Sequence, residues 1–525
     1  MGTASHANDG VGVTGRPHEP VARVDRDEVF LELTRSICPV CKVVIDAEVN
    51  IRDNRVVMRK RCPDHGVFEA LVYSDAQMYV DALPYNKPGT YPLETQTEVR
   101  EGCPLDCGLC PDHKQHACLG VIEVNSGCNL DCPICFADSG HQPDGFALTV
   151  EQVDRMLDVF VAAEGEPEVV QFSGGEPSIH PEIVTFMRMA RDKGIRKVML
   201  NTNGIRLGHD HRFAAACAEV GAHIYMQFDG LDAATHVAIR GRDLRDEKRR
   251  ALDMCVEHGL TVTLVGAVER GVNEHEVGPV VRFGIEHPAV RSVVFQPVTH
   301  TGRHIQFDPM ERLTNPDVMK LLCAQLPDWF RLSDFSPVPC CFPTCRSMCY
   351  AIADRDTVLP FARLVDIDDY LDYVSNRVVP DLALRDALEK MFSSSPTPGV
   401  EQALLACDEC GISIPDTLAN IEDKVFAIIV QDFQDAYTLN ARQLMKCCVE
   451  QITPDGRLIP FCAYNSVGYR EQVREALTGV PVADVVPNAA PLEPLLRPTA
   501  HGSTTADGAG RGRPGRSTIG RSLRP

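Results

Sequence analysis

The sequence lacks three features that would place it in common protein classes. No apolar run is long enough to cross a bilayer. Residues 1–26 are polar and glycine-rich, without the apolar segment of a signal peptide, and are expected to form a disordered N-terminal tail. The 52 basic residues are outnumbered by 73 acidic ones, for a net charge of −21, whereas a general nucleic-acid binder needs a basic surface. We therefore expect a cytoplasmic protein that does not bind nucleic acid.

Cysteine, by contrast, is abundant, with 22 residues. Without an export signal, this number indicates metal ligands rather than disulfides. Three cysteines stand alone within helical patterns and are expected to be small buried hydrophobic residues: Cys217, Cys255 and Cys323. The others are clustered. The chain of 525 residues exceeds the size of one hydrophobic core, so two or three domains are expected.

The densest cluster is the run Cys128-Asn-Leu-Asp-Cys132-Pro-Ile-Cys135. A loop this short can bring three thiolates to one metal cluster, whereas neighbouring loop cysteines rarely meet disulfide geometry. Closed zinc and iron–sulfur sites usually have four protein ligands, so three cysteines leave one iron open to a ligand that is not protein. A zinc knuckle that lacks one ligand is the alternative.

From Leu119 onward, apolar strands alternate with amphipathic helices, which predicts a parallel sheet with right-handed crossovers. The predicted strands are Leu119–Val124, Glu168–Phe172, Lys197–Asn201, Ala222–Phe228, Leu260–Val268 and Val290–Pro297. The predicted helices are Thr149–Ala162, Pro181–Lys193, His211–Val220, Asp246–His258 and Glu274–His287. The fold class is therefore α/β, and six β/α units fit a partial (β/α)6 TIM-like barrel over residues 119–305.

In such a barrel, functional residues lie where the strands end. The second strand leads into a Gly-Gly-Glu turn, whose glycines let the backbone approach a ligand and whose acid can accept a hydrogen bond from an ammonium group. The third and fourth strands end in polar side chains suited to ribose hydroxyls, cofactor or substrate, although Asn203-Gly204 also suits a simple turn. The candidate cofactor-binding residues are Gly174, Gly175, Glu176, Asn201, Asn203, Gln227 and Asp229.

The three-cysteine spacing, followed by this turn, resembles the radical S-adenosylmethionine (radical SAM) superfamily. The resemblance implies that Cys128, Cys132 and Cys135 are catalytic and hold a 4Fe-4S cluster whose open iron chelates the methionine moiety of SAM. One electron, from a reductant such as ferredoxin or flavodoxin, then cleaves SAM to a 5′-deoxyadenosyl radical. The resemblance also assigns the Gly-Gly-Glu turn to the methionine amino group and implies the same partial barrel.

Two cysteine groups precede the barrel. In the N-terminal module, residues 27–91, the metal-ligand candidates Cys38, Cys41 and Cys62 flank a predicted hairpin of strands Val43–Val49 and Arg55–Met58. This pattern resembles a zinc ribbon or a rubredoxin-like mononuclear iron site, with His65 or a more distant cysteine as fourth ligand. Residues 92–118 carry a set of four that fits a closed auxiliary 4Fe-4S cluster, or a structural zinc site: Cys103, Cys107, Cys110 and Cys118.

Cysteines return in a C-terminal domain, residues 306–486, with enough ligands for one or two closed sites whose pairing the sequence leaves open. The candidate ligands are Cys341, Cys345, Cys349, Cys407, Cys410, Cys448 and Cys462. Adjacent cysteines seldom both bind one cluster, so Cys340 and Cys447 are expected to be spectators. Helices are predicted over Val379–Met391 and Ile421–Met445. Residues 487–525 form an expected disordered tail, either inert or in contact with anionic lipid head groups.

The whole arrangement, from about Arg35 to Tyr469, resembles the archaeal tetraether lipid synthases and their bacterial relatives. This resemblance implies carbon–carbon coupling of lipid hydrocarbon chains, with an auxiliary cluster holding the first carbon radical, and peripheral contact with a membrane. Two alternatives are radical methylation of a pterin-like small molecule and modification of a peptide. A cluster-storing or electron-carrier protein would not account for the three-cysteine site or the Gly-Gly-Glu turn.

Overall fold

The computed structural model describes residues 27–140, 145–354, 357–363 and 425–480. Its N-terminal part is a four-stranded antiparallel sheet in the order β1-β2-β3-β4. The strands are β1 (Val29–Ile37), β2 (Val44–Arg52), β3 (Arg55–Cys62) and β4 (Gly66–Tyr73), followed by helix α1 (Ala76–Ala82). The predicted hairpin is present as β2 and β3, and two further strands extend it.

The turn between β2 and β3 shows why these strands pair. Asp53 and Asn54 both have positive φ angles, 51° and 55°. A two-residue turn of this kind matches the twist of the strands it joins, and Asn and Asp tolerate it better than most residues. The turn therefore brings Arg52 opposite Arg55 and sets the register of the whole pair.

A second sheet contains six parallel strands in chain order. They are β5 (Leu119–Glu123), β6 (Val169–Ser173), β7 (Lys197–Thr202), β8 (His223–Gln227), β9 (Val262–Val268) and β10 (Val290–Pro297). The helices between them are α2 (Val150–Glu164), α3 (Ile183–Asp192), α4 (His211–Val220), α5 (Ala233–Arg240), α6 (Arg245–Glu257) and α7 (Val277–Glu286). All six predicted strands and all five predicted helices are confirmed, with shifted ends, whereas the short α5 was not predicted.

The alternation of side chains along each strand separates the core from the functional face. On β6, for example, Val170 and Phe172 pack among the helices, whereas Gln171 and Ser173 line a cavity on the other face. The helices pack on the face that carries Val170 and Phe172, and there they bury apolar residues such as Phe160. Every parallel strand contributes residues to the same cavity, so the sheet curves around it.

Two further parallel strands extend this sheet, β14 (Val425–Gln431) beside β10 and β15 (Val449–Ile452) beside β5. The predicted helix over Ile421–Met445 is therefore wrong. The run from Val425 to Val430 is continuously apolar and almost entirely buried, and such a run is equally compatible with a buried strand and a buried helix. Its β-branched residues favour a strand, and in the structure it lies between two other strands of the sheet.

The remaining described elements are four strands and four helices. They are β11 (Ser336–Pro337), β12 (Arg346–Asp354), β13 (Thr357–Pro360), β16 (Leu458–Pro460), α8 (Asn315–Gln325), α9 (Ala441–Leu444), α10 (Phe461–Ser466) and α11 (Tyr469–Thr478). Short 3-10 turns occur at Leu83–Tyr85, Pro177–Ile179, Glu274–Glu276, Leu332–Asp334 and Phe361–Arg363. None of the helices in the described ranges combines the length and apolar character that crossing a bilayer requires.

The isolated cysteines behave largely as expected. Cys217 and Cys255 are completely buried in the hydrophobic core, and the half-buried Cys323 packs against it. The predicted tails at residues 1–26 and 487–525, the predicted helix Val379–Met391, and the candidate ligands Cys407 and Cys410 lie outside the described residues.

Candidate active site and metal sites

The loop after β5 brings its three cysteines to one place. Cys128, Cys132 and Cys135 share an apolar patch with Leu130 and Leu244, and all three line the cavity. Backbone N–H groups point at two of the sulfur atoms: that of Leu130 lies 3.4 Å from Cys128 Sγ, and that of Ser139 lies 3.4 Å from Cys135 Sγ. Burial raises the pKa of Cys128 to about 12, so the thiolate form needs a bound cation to stabilise it.

The Gly174-Gly175 turn after β6 packs directly on this loop. A Cβ atom on Gly174 would lie 2.4 Å from the carbonyl oxygen of Asn125, and one on Gly175 would lie 2.2 Å from that of Gly127. The Gly175 N–H donates to Asn125 O at 2.8 Å. Only glycine permits this approach, which keeps the turn backbone at the cavity next to the cysteine loop.

Glu176 differs from its predicted role. Its buried carboxylate accepts hydrogen bonds from Thr202 Oγ1 at 2.6 Å, the Asn203 N–H at 2.7 Å and the Ser178 N–H at 3.1 Å. The side chain is absent from the cavity wall, to which Gly174 and Gly175 both contribute. The carboxylate thus holds the turn against the end of β7, and the turn backbone is what faces the cavity.

Asn201, Asn203 and Gln227 do line the cavity. Asn201 Nδ2 donates to Ser173 Oγ at 3.1 Å, and Asn203 Nδ2 donates to Asn129 Oδ1 at 2.7 Å. Asn203 Oδ1 also accepts from the N–H two residues on, which is the turn-forming role given as the alternative. Gln227 Oε1 is buried and has no hydrogen-bond partner among the described residues, so it can accept a hydrogen bond from a ligand.

Asp229 also differs from its predicted role. Its carboxylate forms two hydrogen bonds with Arg240 of α5, at 2.6 and 2.7 Å, and accepts a third from the Ala267 N–H at 3.0 Å. Burial alone would raise the pKa of Asp229, but Arg240 outweighs it and holds the pKa below its usual value. Arg240, and not Asp229, lines the cavity next to Cys132. Sequence reasoning missed Arg240 because no local pattern connects α5 with the end of β8.

The cavity has a volume of about 220 Å³ and lies on one face of the curved sheet. The cysteine loop bounds one end. Leu119 and Val449 line it as well, and these residues directly follow Cys118 and Cys448. The ring of Phe136, next to Cys135, stacks on Phe461 with centroids 5.3 Å apart and closes part of the wall.

The N-terminal sheet holds a four-ligand group. His65 Nδ1 lies 3.7 Å from Cys38 Sγ and 3.5 Å from Cys62 Sγ, and the Sγ atoms of Cys41 and Cys62 are 3.8 Å apart. All four ligand atoms lie within 4.8 Å of one another. A tetrahedral zinc ion with Zn–S bonds of about 2.3 Å places its sulfur ligands about 3.8 Å apart. These residues therefore fit a single metal ion, with His65 as the fourth ligand.

Comparison with known proteins agrees with this geometry. The Radical SAM superfamily profile matches residues 122–284, and the profile of the HMPTM N-terminal zinc ribbon domain matches residues 30–74. Over 484 residues the chain is 32% identical to 7,8-dihydro-6-hydroxymethylpterin dimethyltransferase of Methanocaldococcus jannaschii, which covers 84% of this chain and 94% of that protein. The chain belongs to the radical SAM superfamily.

Other relatives of this radical SAM enzyme match only part of it. GTP 3′,8-cyclase of Chlorobaculum tepidum is 34% identical over 143 residues, 26% of this chain and 42% of that one. The crystal structure of Streptococcus suis SuiB bound to precursor peptide SuiA covers 41% of this chain and 47% of that chain, with 16% identity and a TM-score of 0.35.

Radical SAM enzymes use a 4Fe-4S cluster and SAM, and the residues of this chain fit both. One buried and two partly buried thiols, with backbone N–H groups close to two of the sulfur atoms, suit a cluster held by three protein ligands. The turn with Gly174 and Gly175, together with the side chains of Asn201 and Asn203, presents polar groups at the same cavity.

The structure groups Cys118 differently from the prediction. Its sulfur lies within 4.8 Å of those of Cys340 and Cys448, and the latter two are 3.9 Å apart. The register of the sheet is the cause, because β15 pairs with β5 in parallel and sets Cys448 beside Cys118. Cys341 contacts the same group. Cys340, which was expected to be the spectator of its adjacent pair, thus lies within this group.

Three predicted ligands remain together on the other loop. Cys103 and Cys107 are in contact and Cys110 lies close to them, in the segment before Cys118. Cys107 Sγ lies 3.2 Å from the carbonyl oxygen of Pro104. The predicted set of four is thus a set of three in this part of the described chain, because Cys118 belongs to the β5–β15 pair.

A second cavity of about 40 Å³ has five cysteines of the C-terminal part among its lining residues: Cys341, Cys345, Cys447, Cys448 and Cys462. Cys447, which was expected to be a spectator, therefore lines the same cavity as four other cysteines. Cys349, by contrast, lies in the hydrophobic core with Phe426. Successive residues of a strand face opposite sides, so its neighbour Met348 faces the cysteines and Cys349 faces away. Cys349 is thus placed as a core residue rather than as a ligand.

Replacing His65 with alanine is expected to weaken metal binding by the N-terminal sheet. A direct ligand is lost, so zinc affinity should fall by more than the roughly 10–100-fold that follows loss of an outer-shell partner. Competition titration with a chromogenic chelator measures this change, and elemental analysis distinguishes zinc from iron. His209→Ala, at an exposed histidine far from the site, is the matched control. Equal affinity in His65→Ala and wild type would place the fourth ligand elsewhere.

Proposed function

We propose that this radical SAM enzyme methylates a polar, pterin-like heterocycle. The observation that supports this substrate class is a layer of polar side chains around the cavity, at the ends of the parallel strands. These residues are Glu123, Ser173, Asn201, Gln227, Gln296 and Gln431. Below them the wall is largely apolar, with Val121, Met199, Val265, Val294 and Ile429. A fused heterocycle matches both layers, because it has apolar faces and hydrogen-bonding edges.

The hydrogen bonds of the polar layer leave groups for a ligand. Gln296 Nε2 donates to Tyr225 Oη at 3.2 Å, so its carbonyl oxygen and the phenol are held in fixed positions. Gln227 Oε1 is a buried acceptor without a partner among the described residues. A hydrocarbon chain would leave such an acceptor unsatisfied, at a cost of about 1–3 kcal/mol, whereas a ring N–H would satisfy it. Discrimination by buried polar groups of this kind favours a polar substrate over a lipid.

When bound, the cluster and SAM supply reductive cleavage of the sulfonium and a radical that abstracts hydrogen. The residues of this chain bind and orient the substrate and the cofactors, and they exclude water from the cavity. Cys128, Cys132 and Cys135 would hold the cluster and leave one iron for SAM. The stacked rings of Phe136 and Phe461 limit access of water beside the cysteine loop.

The relative from Methanocaldococcus jannaschii supports the same substrate class, since its name describes methylation of a pterin and the similarity extends over 94% of its length. Lipid coupling and peripheral membrane contact, the preferred sequence-based predictions, gain no support from the described cavity wall. Modification of a peptide is likewise supported by no specific contact of the described residues.

The two buried cysteine groups are proposed as auxiliary metal sites of this reaction. Cys118, Cys340 and Cys448 lie next to Leu119 and Val449, which line the substrate cavity on the side away from the three-cysteine loop. A cluster there would be able to exchange an electron with a bound substrate. Cys103 and Cys107 of the other loop pack in a separate apolar cluster with Tyr469.

The test compares pterins from cells that make the wild-type protein with pterins from cells that make Cys128→Ala. Mass spectrometry is expected to reveal pterins heavier by whole methyl groups with the wild type alone. Feeding methionine labelled with carbon-13 in its methyl group determines whether the added carbon comes from SAM. Unchanged pterins together with dimeric lipid chains in the same extracts would overturn the proposal in favour of coupling.

A further inference from the structure

Helix α11 contacts two different cysteine loops from consecutive residues. Tyr469, its first residue, reaches the loop with Cys103 and Cys107, and Arg470 reaches the loop with Cys128, Cys132 and Cys135. Both side chains are almost completely buried. Neither residue belongs to a cysteine motif.

Two arginines of α11 bind the backbone of the three-cysteine loop directly after Cys135. Arg470 Nη1 donates to Phe136 O at 2.9 Å, and Arg474 Nη2 donates to the carbonyl oxygen of the next residue, Ala137. Arg470 also forms a buried ion pair with Glu123, the last residue of β5. The helix is thus attached both to the strand before the loop and to the segment after its last cysteine.

The loop has a third arginine on its other side. Arg303 Nε donates to Cys132 O at 2.7 Å, and its Nη2 donates to Ser139 O at 2.9 Å. The Cys135 N–H in turn donates to Arg303 O at 2.8 Å. Guanidinium groups therefore bind carbonyl oxygens at four positions of a segment of eight residues, from Cys132 to Ser139.

Tyr469 forms the connection to the other loop. Its Oη lies 2.6 Å from Leu105 O and 2.9 Å from Pro104 O, and accepts a hydrogen bond from the Cys107 N–H at 3.3 Å. The guanidinium of Arg457 lies over its ring, 5.5 Å from the centroid. The hydroxyl therefore holds the turn that positions Cys107.

We propose that α11 is a positioning element that couples the two cysteine loops. Arg470 and Arg474 fix the path of the three-cysteine loop and place positive charge beside it, while Tyr469 holds the other loop to the same rigid helix. Arg470 forms an ion pair with Glu123, whereas Arg474 has no ion pair within 4 Å in the described ranges and interacts with Glu123 and the buried Glu471 over a longer distance. Because reduction adds negative charge to a cluster, Arg474 favours the reduced form of the cluster held by the three cysteines.

The test is a redox titration of the anaerobically reconstituted full-length protein, followed by electron paramagnetic resonance without substrate. SAM identifies the cluster of the three-cysteine loop, since that cluster has the open iron. Arg474→Gln is expected to lower its reduced-to-oxidised ratio about tenfold at a fixed potential, equivalent to about 59 mV for one electron. Arg474→Lys keeps the charge and should restore the wild-type ratio. Arg188→Gln, at an exposed arginine of α3, is the matched control.

The coupling of the two cysteine loops through α11 is tested with Tyr469→Phe, which removes only the hydroxyl. We expect changes in the resonance of both the SAM-responsive cluster and the cluster at Cys103–Cys110, at unchanged iron content. A wild-type ratio in Arg474→Gln would overturn the electrostatic role, and a change confined to the Cys103–Cys110 signal in Tyr469→Phe would overturn the coupling. Neither readout involves a substrate, so failure of the methylation proposal would leave both results interpretable.

Discussion

Replacing Cys132 with alanine is expected to abolish formation of 5′-deoxyadenosine from SAM, and the same result is expected for Cys128 and Cys135. These three thiols are the complete set of protein ligands at the loop, and each lies on the cavity wall. Loss of any one leaves a site with too few ligands to hold a 4Fe-4S cluster. The measurement is chromatography and mass spectrometry of 5′-deoxyadenosine after anaerobic reconstitution and chemical reduction.

Cys217→Ala is the matched control for this series. Cys217 is more deeply buried than Cys132. It lies in the core on α4 and belongs to none of the described cysteine groups. It should retain wild-type SAM cleavage and lose only a little stability. Wild-type yields of 5′-deoxyadenosine from any of the three loop variants would contradict the assignment of the loop as the SAM-cleaving site.

Asp229→Asn is expected to lower the free energy of unfolding by about 3–5 kcal/mol, the range for removing one partner of a buried ion pair. The variant leaves the guanidinium of Arg240 with its charge uncompensated beside Cys132. Denaturant titration of the metal-loaded protein, monitored by circular dichroism, measures the change. Because Arg240 also lines the cavity, weaker SAM binding should accompany the loss of stability.

The pH dependence of this effect has a definite sign. The pKa of Asp229 is lower in the folded protein than in the unfolded chain, where it is about 3.9. The ionised carboxylate therefore contributes its full stability above about pH 3.9 and loses it as the pH falls toward the lower folded value. The difference between wild type and Asp229→Asn should accordingly be constant near neutral pH and shrink in strongly acidic solution.

Asp243→Asn provides the comparison, since Asp243 also binds an arginine, Arg245, through both carboxylate oxygens. This pair is exposed, with 42% and 46% of the two side chains accessible, so its loss should cost within about 1 kcal/mol. Equal destabilisation by the two substitutions would show that burial of Asp229 and Arg240 is not what makes their pair important.

Patterns within short stretches of sequence were enough to predict the central part of this protein. The spacing of Cys128, Cys132 and Cys135 specifies a three-ligand loop, because the chain between them is too short to carry the thiols apart. Strand and helix periodicity predicted the six parallel strands and five of the helices between them, because side-chain burial repeats every two residues in strands and about every 3.6 in helices. The helix predicted across Val425–Gln431 was wrong because a run of apolar residues has no periodicity that would distinguish a helix from a strand.

Contacts between distant segments were decided by the tertiary structure alone. Cys118 lies beside Cys448 because β15 pairs with β5, a register that no spacing within residues 92–118 could reveal. Glu176 and Asp229 were correctly placed at strand ends, yet their carboxylates bind the end of β7 and Arg240 instead of facing the cavity. A sequence specifies which side chains are available and in what local order. Which donor each buried carboxylate meets depends on how the strands and helices pack, since hydrogen bonds and ion pairs act over only a few ångströms.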